Sequence, residues 1–128
     1  MNKSQKQYSC AIIDDEFSTI RLMSEYIAMV PKLQLVSSYL DPRTGVKEIK
    51  QLPKLDFLFL DINMAVSGID VGMALRDYVR FMIIITGHPE HAMQAFKIQA
   101  DNFLLKPLRF EKFLWAINKS ITSINSIN

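Results

Sequence analysis

The sequence has few of the features that mark secreted, zinc-binding or membrane proteins. Cys10 is the one cysteine among 128 residues, so the chain can form no internal disulfide and offers no cysteine-based zinc site. The first ten residues are polar and lack the apolar segment of a secretory signal. The longest unbroken apolar run, residues 81–85, is far too short to cross a bilayer. We therefore expect a cytoplasmic protein without a membrane partner, with Cys10 buried in a strand.

The sequence also lacks a large excess of positive or negative charge. Fifteen Lys and Arg residues face thirteen Asp and Glu residues, for a net charge of +2, and like charges form no block. Nucleic-acid binding is not excluded, but nothing in this pattern calls for it. The length suits one domain, and a hydrophobic content of 49% excludes a disordered chain. We expect a polar N-terminal tail at residues 1–7, a folded domain at 8–124, and a C-terminal end at 125–128 that could begin a linker to an output domain.

Short strand-like runs alternate with helical patterns along the whole chain. The predicted strands are residues 8–13, 33–40, 55–60, 81–85 and 103–105, and the predicted helices are residues 17–30, 42–51, 69–79, 89–99 and 110–124. Five strands that are each followed by a helix predict a doubly wound α/β sandwich around a parallel sheet. Helical spacing places Phe17 on the buried stripe of the first helix, and it groups Ala92, Ala95, Phe96 and Gln99 on one side of the fourth.

Charged or hydroxyl residues follow four of the five strands. They are Asp14 and Asp15 after the first strand, Asp61 after the third, Thr86 after the fourth and Lys106 after the fifth. Each has an ordinary explanation as a helix cap, a turn residue or a solvated loop lysine. Together they favour a site, because ligands of this architecture bind beyond the carboxyl ends of the strands.

Three carboxylates at one sheet edge repel one another and therefore call for a cation. Hard oxygen ligands suit Mg²⁺, which takes a few carboxylates, phosphate oxygens and water. A carboxylate can attack phosphorus to form an acyl phosphate, and such a transfer depends on positioning and on charge supplied by metal and lysine. Asp61, central in the predicted sheet, is the best candidate for the nucleophile.

Four runs of residues carry a resemblance to a known family. They are IIDDE at 12–16, FLDINM at 59–64, IITGH at 84–88 and FLLKP at 103–107. In this order they closely resemble the receiver domain of bacterial two-component response regulators. The stretch from His91 to Pro107 is similar to the subgroup that precedes LytTR-type (LytR/AlgR-type) DNA-binding domains. The resemblance implies the flavodoxin-like (βα)5 fold with parallel strand order 2-1-3-4-5.

The resemblance also implies a role for each site residue. Asp61 would accept a phosphoryl group from the phosphohistidine of a sensor histidine kinase, and Lys106 would pair with Asp61 and the phosphoryl group. Asp14, Asp15, Asp61 and the backbone carbonyl of Asn63 would hold Mg²⁺. The Lys106-Pro107 peptide bond would be cis.

The same resemblance implies a conformational switch and its partners. Thr86 would move inward to the phosphoryl group, and Phe103 would reorient with it. Gly87 would leave access to the phosphoryl group, and Asn63 and His88 occupy positions that tune acyl-phosphate lifetime. A homodimer would form through the fourth helix, fifth strand and fifth helix, with Trp115 as a candidate contact. DNA would be bound only through an output domain. Such a domain catalyses its own phosphorylation and dephosphorylation and is no turnover enzyme.

The loop after Asp61 departs from the family pattern. Ala65 stands where proline is expected, and Gly68 comes seven rather than eight residues after Asp61. This shortened loop is the one feature that favours the alternative of a phosphorylation-independent interaction module. A phosphohydrolase of the Asp-x-Asp type is disfavoured, because the residue two beyond Asp61 is Asn63. His88 and His91 are interpreted as loop and helix-surface residues rather than as a metal pair, since a third ligand is missing.

Overall fold

A five-stranded parallel sheet organises the protein. The computed structural model describes residues 6–64 and 67–126, so Ala65 and most of the predicted N-terminal tail lie outside the described residues. The strands are β1 (Tyr8–Ile13), β2 (Leu33–Tyr39), β3 (Leu55–Asp61), β4 (Val79–Thr86) and β5 (Asn102–Leu105). Their order in the sheet is β2-β1-β3-β4-β5. This confirms the predicted doubly wound sandwich with strand order 2-1-3-4-5.

Helices connect the strands and cover both faces of the sheet. They are α1 (Phe17–Ala28), α2 (Pro42–Ile49), α3 (Gly68–Leu75), α4 (Ala92–Lys97) and α5 (Phe110–Ser126), with 3₁₀ turns at Arg76–Tyr78 and Pro89–His91. Asp41 caps α2 by accepting a hydrogen bond from Arg43 N, and Pro42 occupies the first turn as expected. None of the helices in the described part of the chain combines the length and the apolar composition that a bilayer crossing needs.

Two apolar layers sandwich the sheet. One lies under α1 and α5, where Phe59 packs on Phe113, and it includes the fully buried Cys10. The other lies under α2, α3 and α4 and includes Leu58, Leu60 and Ile84. β3 is covered on both faces, which explains its nearly continuous apolar sequence. The sheet is therefore a rigid platform for the residues that follow its strands.

Two predicted helix faces are wrong. Phe17 opens α1 but is 65% exposed, whereas Ile20, Met23 and Ile27 are buried. Ala92 and Phe96 in α4 are exposed, as is Gln99, which lies beyond the end of the helix. Of the predicted four, Ala95 alone is buried, and it packs beside Ile98, which ends the helix. A helix of six residues makes fewer than two turns, so its apolar spacing does not specify which side meets the sheet.

The third helix is shorter than predicted. It ends at Leu75, and a 3₁₀ turn leads directly into β4, which begins at Val79 rather than at Phe81. Val79 pairs with Leu55 at the start of β3, and this pairing makes Val79 a strand residue. The predicted first helix, second helix and second strand also extend one or two residues too far, as is usual for element ends.

Candidate functional site

Two strand ends bring the three predicted carboxylates together. Asp61 is the last residue of β3, and Asp14 and Asp15 directly follow β1, which is paired with β3. One carboxylate oxygen from each of the three residues lies within 4.8 Å of the others. Asp14 is 0% exposed and Asp61 is 2% exposed, whereas Asp15 is exposed to solvent. The cluster thus has two buried members and one member that faces outward.

Lys106 supplies the positive charge of the site. Its Nζ lies 3.4 Å from Asp61 Oδ2, 3.2 Å from Asp14 Oδ2 and 2.7 Å from Glu16 Oε1. The Lys106-Pro107 peptide bond is cis, as the resemblance implied. Burial by itself lowers the pKa of Lys106, but the hydrogen bond to Glu16 and the charges of Asp14 and Asp61 outweigh it and raise the pKa overall. Lys106 is therefore charged at any physiological pH.

Backbone amides orient the two buried carboxylates. Asn63 N donates a hydrogen bond of 2.9 Å to Asp61 Oδ1, and Glu16 N donates one of 2.9 Å to Asp14 Oδ1. Burial raises the pKa of Asp14 to about 6, and the nearby charge of Asp61 acts in the same direction, partly opposed by the Glu16 amide and by Lys106. Buried negative charge at Asp14 is thus only partly compensated by the protein.

The donor set fits a small, hard cation. Asp14 Oδ2 is buried without a hydrogen bond among the described residues, although Lys106 Nζ is 3.2 Å away. Two further carboxylates lie beside it, and all the donor atoms are oxygen. Asp14, Asp15 and Asp61 therefore form an acidic cluster that can hold a divalent cation.

A small pocket opens above these groups. It has a volume of about 200 Å³ and is lined by Asp15, Glu16, Asp61, Asn63, Gly87, His88 and Lys106. A side-chain carbon on Gly87 would meet no atom within 4 Å, so the entrance next to Thr86 is open. Asp61 is thus buried by its neighbours yet borders a space large enough for a phosphoryl group and its ligands.

Thr86 ends β4 at the same edge, but its hydroxyl is engaged elsewhere. Oγ1 accepts a 3.2 Å hydrogen bond from His88 N and lies 2.9 Å from His91 Nδ1. Phe103 on β5 pairs with Ile84, two residues before Thr86, and is half-buried against the layer beneath α4. The two candidate switch residues therefore share a sheet face, and neither has a described hydrogen bond to Asp61.

The start of α3 explains the shortened loop. A side-chain carbon on Gly68 would overlap the Cα of Ile62 and approach Asp61 O to 2.9 Å. Only glycine permits this close approach of the two backbone segments. The glycine therefore lets α3 begin seven residues after Asp61 and pack against the backbone of Asp61 and Ile62. Ser67 caps the helix by accepting a hydrogen bond from Asp70 N.

Two residues of the site were not assigned a role from the sequence. Glu16 pairs with Lys106. Its position next to Asp14 and Asp15 in the IIDDE run was the sequence feature that could have indicated this role. His91 is half-buried and contacts Thr86, so its interpretation as a helix-surface residue is wrong. For His91, the sequence feature that could have indicated the contact was its position five residues after Thr86, at the end of a turn that begins at Pro89.

Comparisons with known proteins identify the family. The family model for the response regulator receiver domain matches residues 10–118. Protein MrkE of Klebsiella pneumoniae is 28% identical over 123 residues, which cover 94% of this chain and 45% of MrkE. An uncharacterised response regulatory protein of Vibrio parahaemolyticus is 32% identical over 116 residues, covering 87% of this chain and 48% of that protein.

Solved structures show the same fold. The crystal structure of the response regulatory domain of MrkE superimposes with a TM-score of 0.81 at 26% identity, covering 92% of this chain and 98% of that domain. The chain spans about half the length of the curated relatives that it matches. The chain belongs to the response regulator receiver domain family.

Proposed function

We propose that Asp61 accepts a phosphoryl group from the phosphohistidine of a sensor histidine kinase. The observation that supports this proposal is the set of contacts around the Asp61 carboxylate. Asn63 N holds one oxygen, Lys106 Nζ lies 3.4 Å from the other, and the carboxylate borders an open pocket. Such a carboxylate is oriented, paired with a cation and reachable, as a nucleophile toward phosphorus must be.

In the proposed step, an oxygen of Asp61 forms a bond to phosphorus while the bond from phosphorus to the imidazole nitrogen of the donor breaks. The electron pair stays on that nitrogen, which takes up a proton from water. Lys106 faces Asp61 Oδ2 and offers its positive charge to the phosphoryl oxygens. The protein contributes mainly positioning and charge, which are the main requirements of phosphoryl transfer.

Mg²⁺ is the proposed cation of the acidic cluster. Asp14, Asp15, Asp61 and the backbone carbonyl of Asn63 would hold it, since all four offer hard oxygen ligands. When bound, Mg²⁺ supplies the positive charge that lets an anionic donor approach three carboxylates. Bound Mg²⁺ would stabilise the ionised Asp14 carboxylate in particular, because its buried negative charge is only partly compensated by the protein.

The proposed output begins at Thr86 and Phe103. Phosphorylation of Asp61 would draw the Thr86 hydroxyl toward the new phosphoryl oxygens, and Phe103 on the neighbouring strand would reorient on the same sheet face. Both residues pack toward α4, which has few buried side chains. A change at Thr86 would therefore reach the surface through α4 and β5.

The proposed partner surface is the α4-β5-α5 face. Met93 and Phe96 on α4, Leu105 on the edge strand β5 and Trp115 on α5 are exposed apolar residues, and Phe96 is 81% exposed. Exposed apolar groups around an edge strand suit a homodimer.

The proposed receiver unit is residues 8–124. It would precede an output domain of the LytTR type, and DNA would be bound through that domain. The proposed location is the cytoplasm, where histidine kinases act.

The test is phosphorylation by acetyl phosphate with Mg²⁺, followed by intact-protein mass spectrometry. We expect one phosphoryl adduct on the unaltered protein, no adduct on Asp61→Asn, and a normal adduct on the control Asp70→Asn, which changes an exposed carboxylate on α3. An adduct that persists in Asp61→Asn would overturn the site assignment. A wild-type protein that stays unlabelled would favour the phosphorylation-independent interaction module.

A further inference from the structure

We propose that His91 is a positioning residue that holds Thr86 in its resting orientation by a hydrogen bond from the Thr86 hydroxyl to His91 Nδ1. The inference rests on the proposed function, because it concerns the movement of Thr86 toward a phosphoryl group on Asp61. It assigns a role to a side chain outside the acidic cluster.

The hydrogen-bond inventory of Thr86 determines the direction of this bond. The hydroxyl is 0% exposed, and its oxygen already accepts from His88 N. Its single proton needs an acceptor, because a buried hydroxyl without one is costly. His91 Nδ1, at 2.9 Å, is the acceptor among the described residues. The imidazole is therefore the neutral form that carries its proton on Nε2.

The position of His91 gives the bond its consequence. His91 closes the 3₁₀ turn Pro89–His91 and directly precedes α4, and its own N–H donates to His88 O at 3.0 Å. The bond thus ties the end of β4 to the start of α4. Thr86 cannot turn toward Asp61 without releasing it, so the same movement that engages the phosphoryl group frees the first turn of α4 from the sheet.

The neighbouring histidine does not share this role. The His88 ring lies 5.1 Å from the His91 ring, but its Nδ1 faces Glu90 at 3.5 Å, and only its backbone contacts Thr86. The pair also does not form a metal site, because the acidic cluster is the one group of three or more ligands within the described residues. His91 is therefore the histidine of this pair whose ring contacts Thr86.

The test compares His91→Phe with Gln94→Phe, which places the same ring at an exposed position of α4. Gln94 neither lines the pocket above Asp61 nor contacts Thr86, so this control leaves the bonds of Thr86 in place. Each protein is titrated with beryllofluoride, a mimic of the phosphoryl group, in the presence of Mg²⁺, and binding is followed by the fluorescence of Trp115. If a typical hydrogen bond is lost from the resting state, His91→Phe should bind about three- to tenfold more tightly. Gln94→Phe should stay within about twofold of the unaltered protein.

A double-variant cycle separates positioning from a general structural role. In a Thr86→Val background the hydroxyl is missing, so His91→Phe should give no further gain in affinity. An equal gain with and without the Thr86 hydroxyl would overturn the inference, as would equal affinities of His91→Phe and Gln94→Phe.

Nuclear magnetic resonance of the unphosphorylated protein tests the bond directly and keeps the two proposals distinguishable. We expect ¹⁵N shifts of a His91 ring protonated on Nε2, and a change at Nδ1 in Thr86→Val. A ring protonated on Nδ1 would overturn the inference even if beryllofluoride binds. A wild-type protein that fails to bind beryllofluoride would instead contradict the proposed function and, with it, the role of the bond in switching.

Discussion

The two sides of the phosphoacceptor pocket are built differently. On the β1–β3 side, Asp14 follows β1 and Asp61 ends β3, two strands of mostly buried residues, and backbone amides hold both carboxylates. On the β4–β5 side, Thr86 leads into a 3₁₀ turn and a helix of six residues, in which Ala95 is buried while Met93 and Phe96 are largely exposed. One side is fixed and the other is loosely attached to the core.

This difference matches what each side has to do. Phosphoryl transfer requires reacting groups held in a fixed geometry, which packed strands provide. A conformational response requires a segment whose movement costs little, and such segments bury few apolar side chains. In the proposed function the pocket joins a fixed reaction centre to a movable segment that responds to phosphorylation, and variants on each side should have different effects.

The largest expected effect is at Lys106, which follows β5 but pairs with the carboxylates of the rigid side. Lys106→Ala should slow phosphorylation by acetyl phosphate by about a hundredfold or more, because it removes the cation that faces the developing charge at Asp61. The rate is measured by mass spectrometry at fixed Mg²⁺. Lys112→Ala, which removes an exposed lysine of α5, is the control and should leave the rate unchanged. A Lys106→Ala protein that is labelled at the normal rate would show that this ammonium is not part of the reaction.

The buried carboxylate of Asp14 should lower the stability of the fold at neutral pH. Burial raises its pKa from 3.8 to about 6, so between these values the folded state keeps a proton that the unfolded state has lost. The free energy of unfolding must then fall as pH rises through this window, by up to about 3 kcal/mol. Asp14→Asn removes the charge and retains an oxygen for the Glu16 amide.

Urea unfolding without Mg²⁺ checks this prediction. The variant and the unaltered protein should be equally stable near pH 4, and Asp14→Asn should be more stable by up to about 3 kcal/mol near pH 7. Added Mg²⁺ should reduce the difference, because it stabilises the folded state that binds it. A stability difference that does not change between pH 4 and pH 7 would contradict the raised pKa.

Two glycines compare the two sides at the level of the backbone. Gly68→Ala should destabilise the fold by about 1–3 kcal/mol, since the new methyl group would meet the backbone of Ile62. Gly87→Ala, on the β4 side, adds a methyl group in open space and should change stability by less than about 0.5 kcal/mol. Thermal or urea unfolding of both variants gives the comparison. Equal destabilisation by the two changes would mean that the sides do not differ in packing.

The sequence predicts the strands and the residues that follow them better than the contacts made by helices and turns. The runs that form β1, β3 and β4 are apolar enough to be recognised as buried strands, and residues that follow parallel strands must meet at one edge. Asp14, Asp61 and Lys106 were therefore brought together by reasoning about topology alone. The structure adds distances and partners to that set but does not change it.

The rest depends on side-chain directions that spacing does not encode. Phe17 and Phe96 fit an apolar helical stripe, yet both point to solvent, because a stripe a few residues long can face either way. The contact of Glu16 with Lys106 depends on rotamers, and that of His91 with Thr86 depends on a 3₁₀ turn between them. Neither contact follows from element order or hydrophobic pattern.

An equally small effect on stability is expected at Phe96, also on the movable side. Phe96→Ala should change the free energy of unfolding by less than about 0.5 kcal/mol, because the ring is 81% exposed. The matched control, Phe113→Ala, removes a ring that is 0% exposed and should cost about 3–5 kcal/mol. If the α4-β5-α5 face forms the proposed homodimer, Phe96→Ala should also lower the dimer fraction in sedimentation velocity with beryllofluoride and Mg²⁺. A loss of stability comparable to that of Phe113→Ala would place Phe96 in the core and remove the contrast between the two sides, because α4 would then be anchored as firmly as the strands.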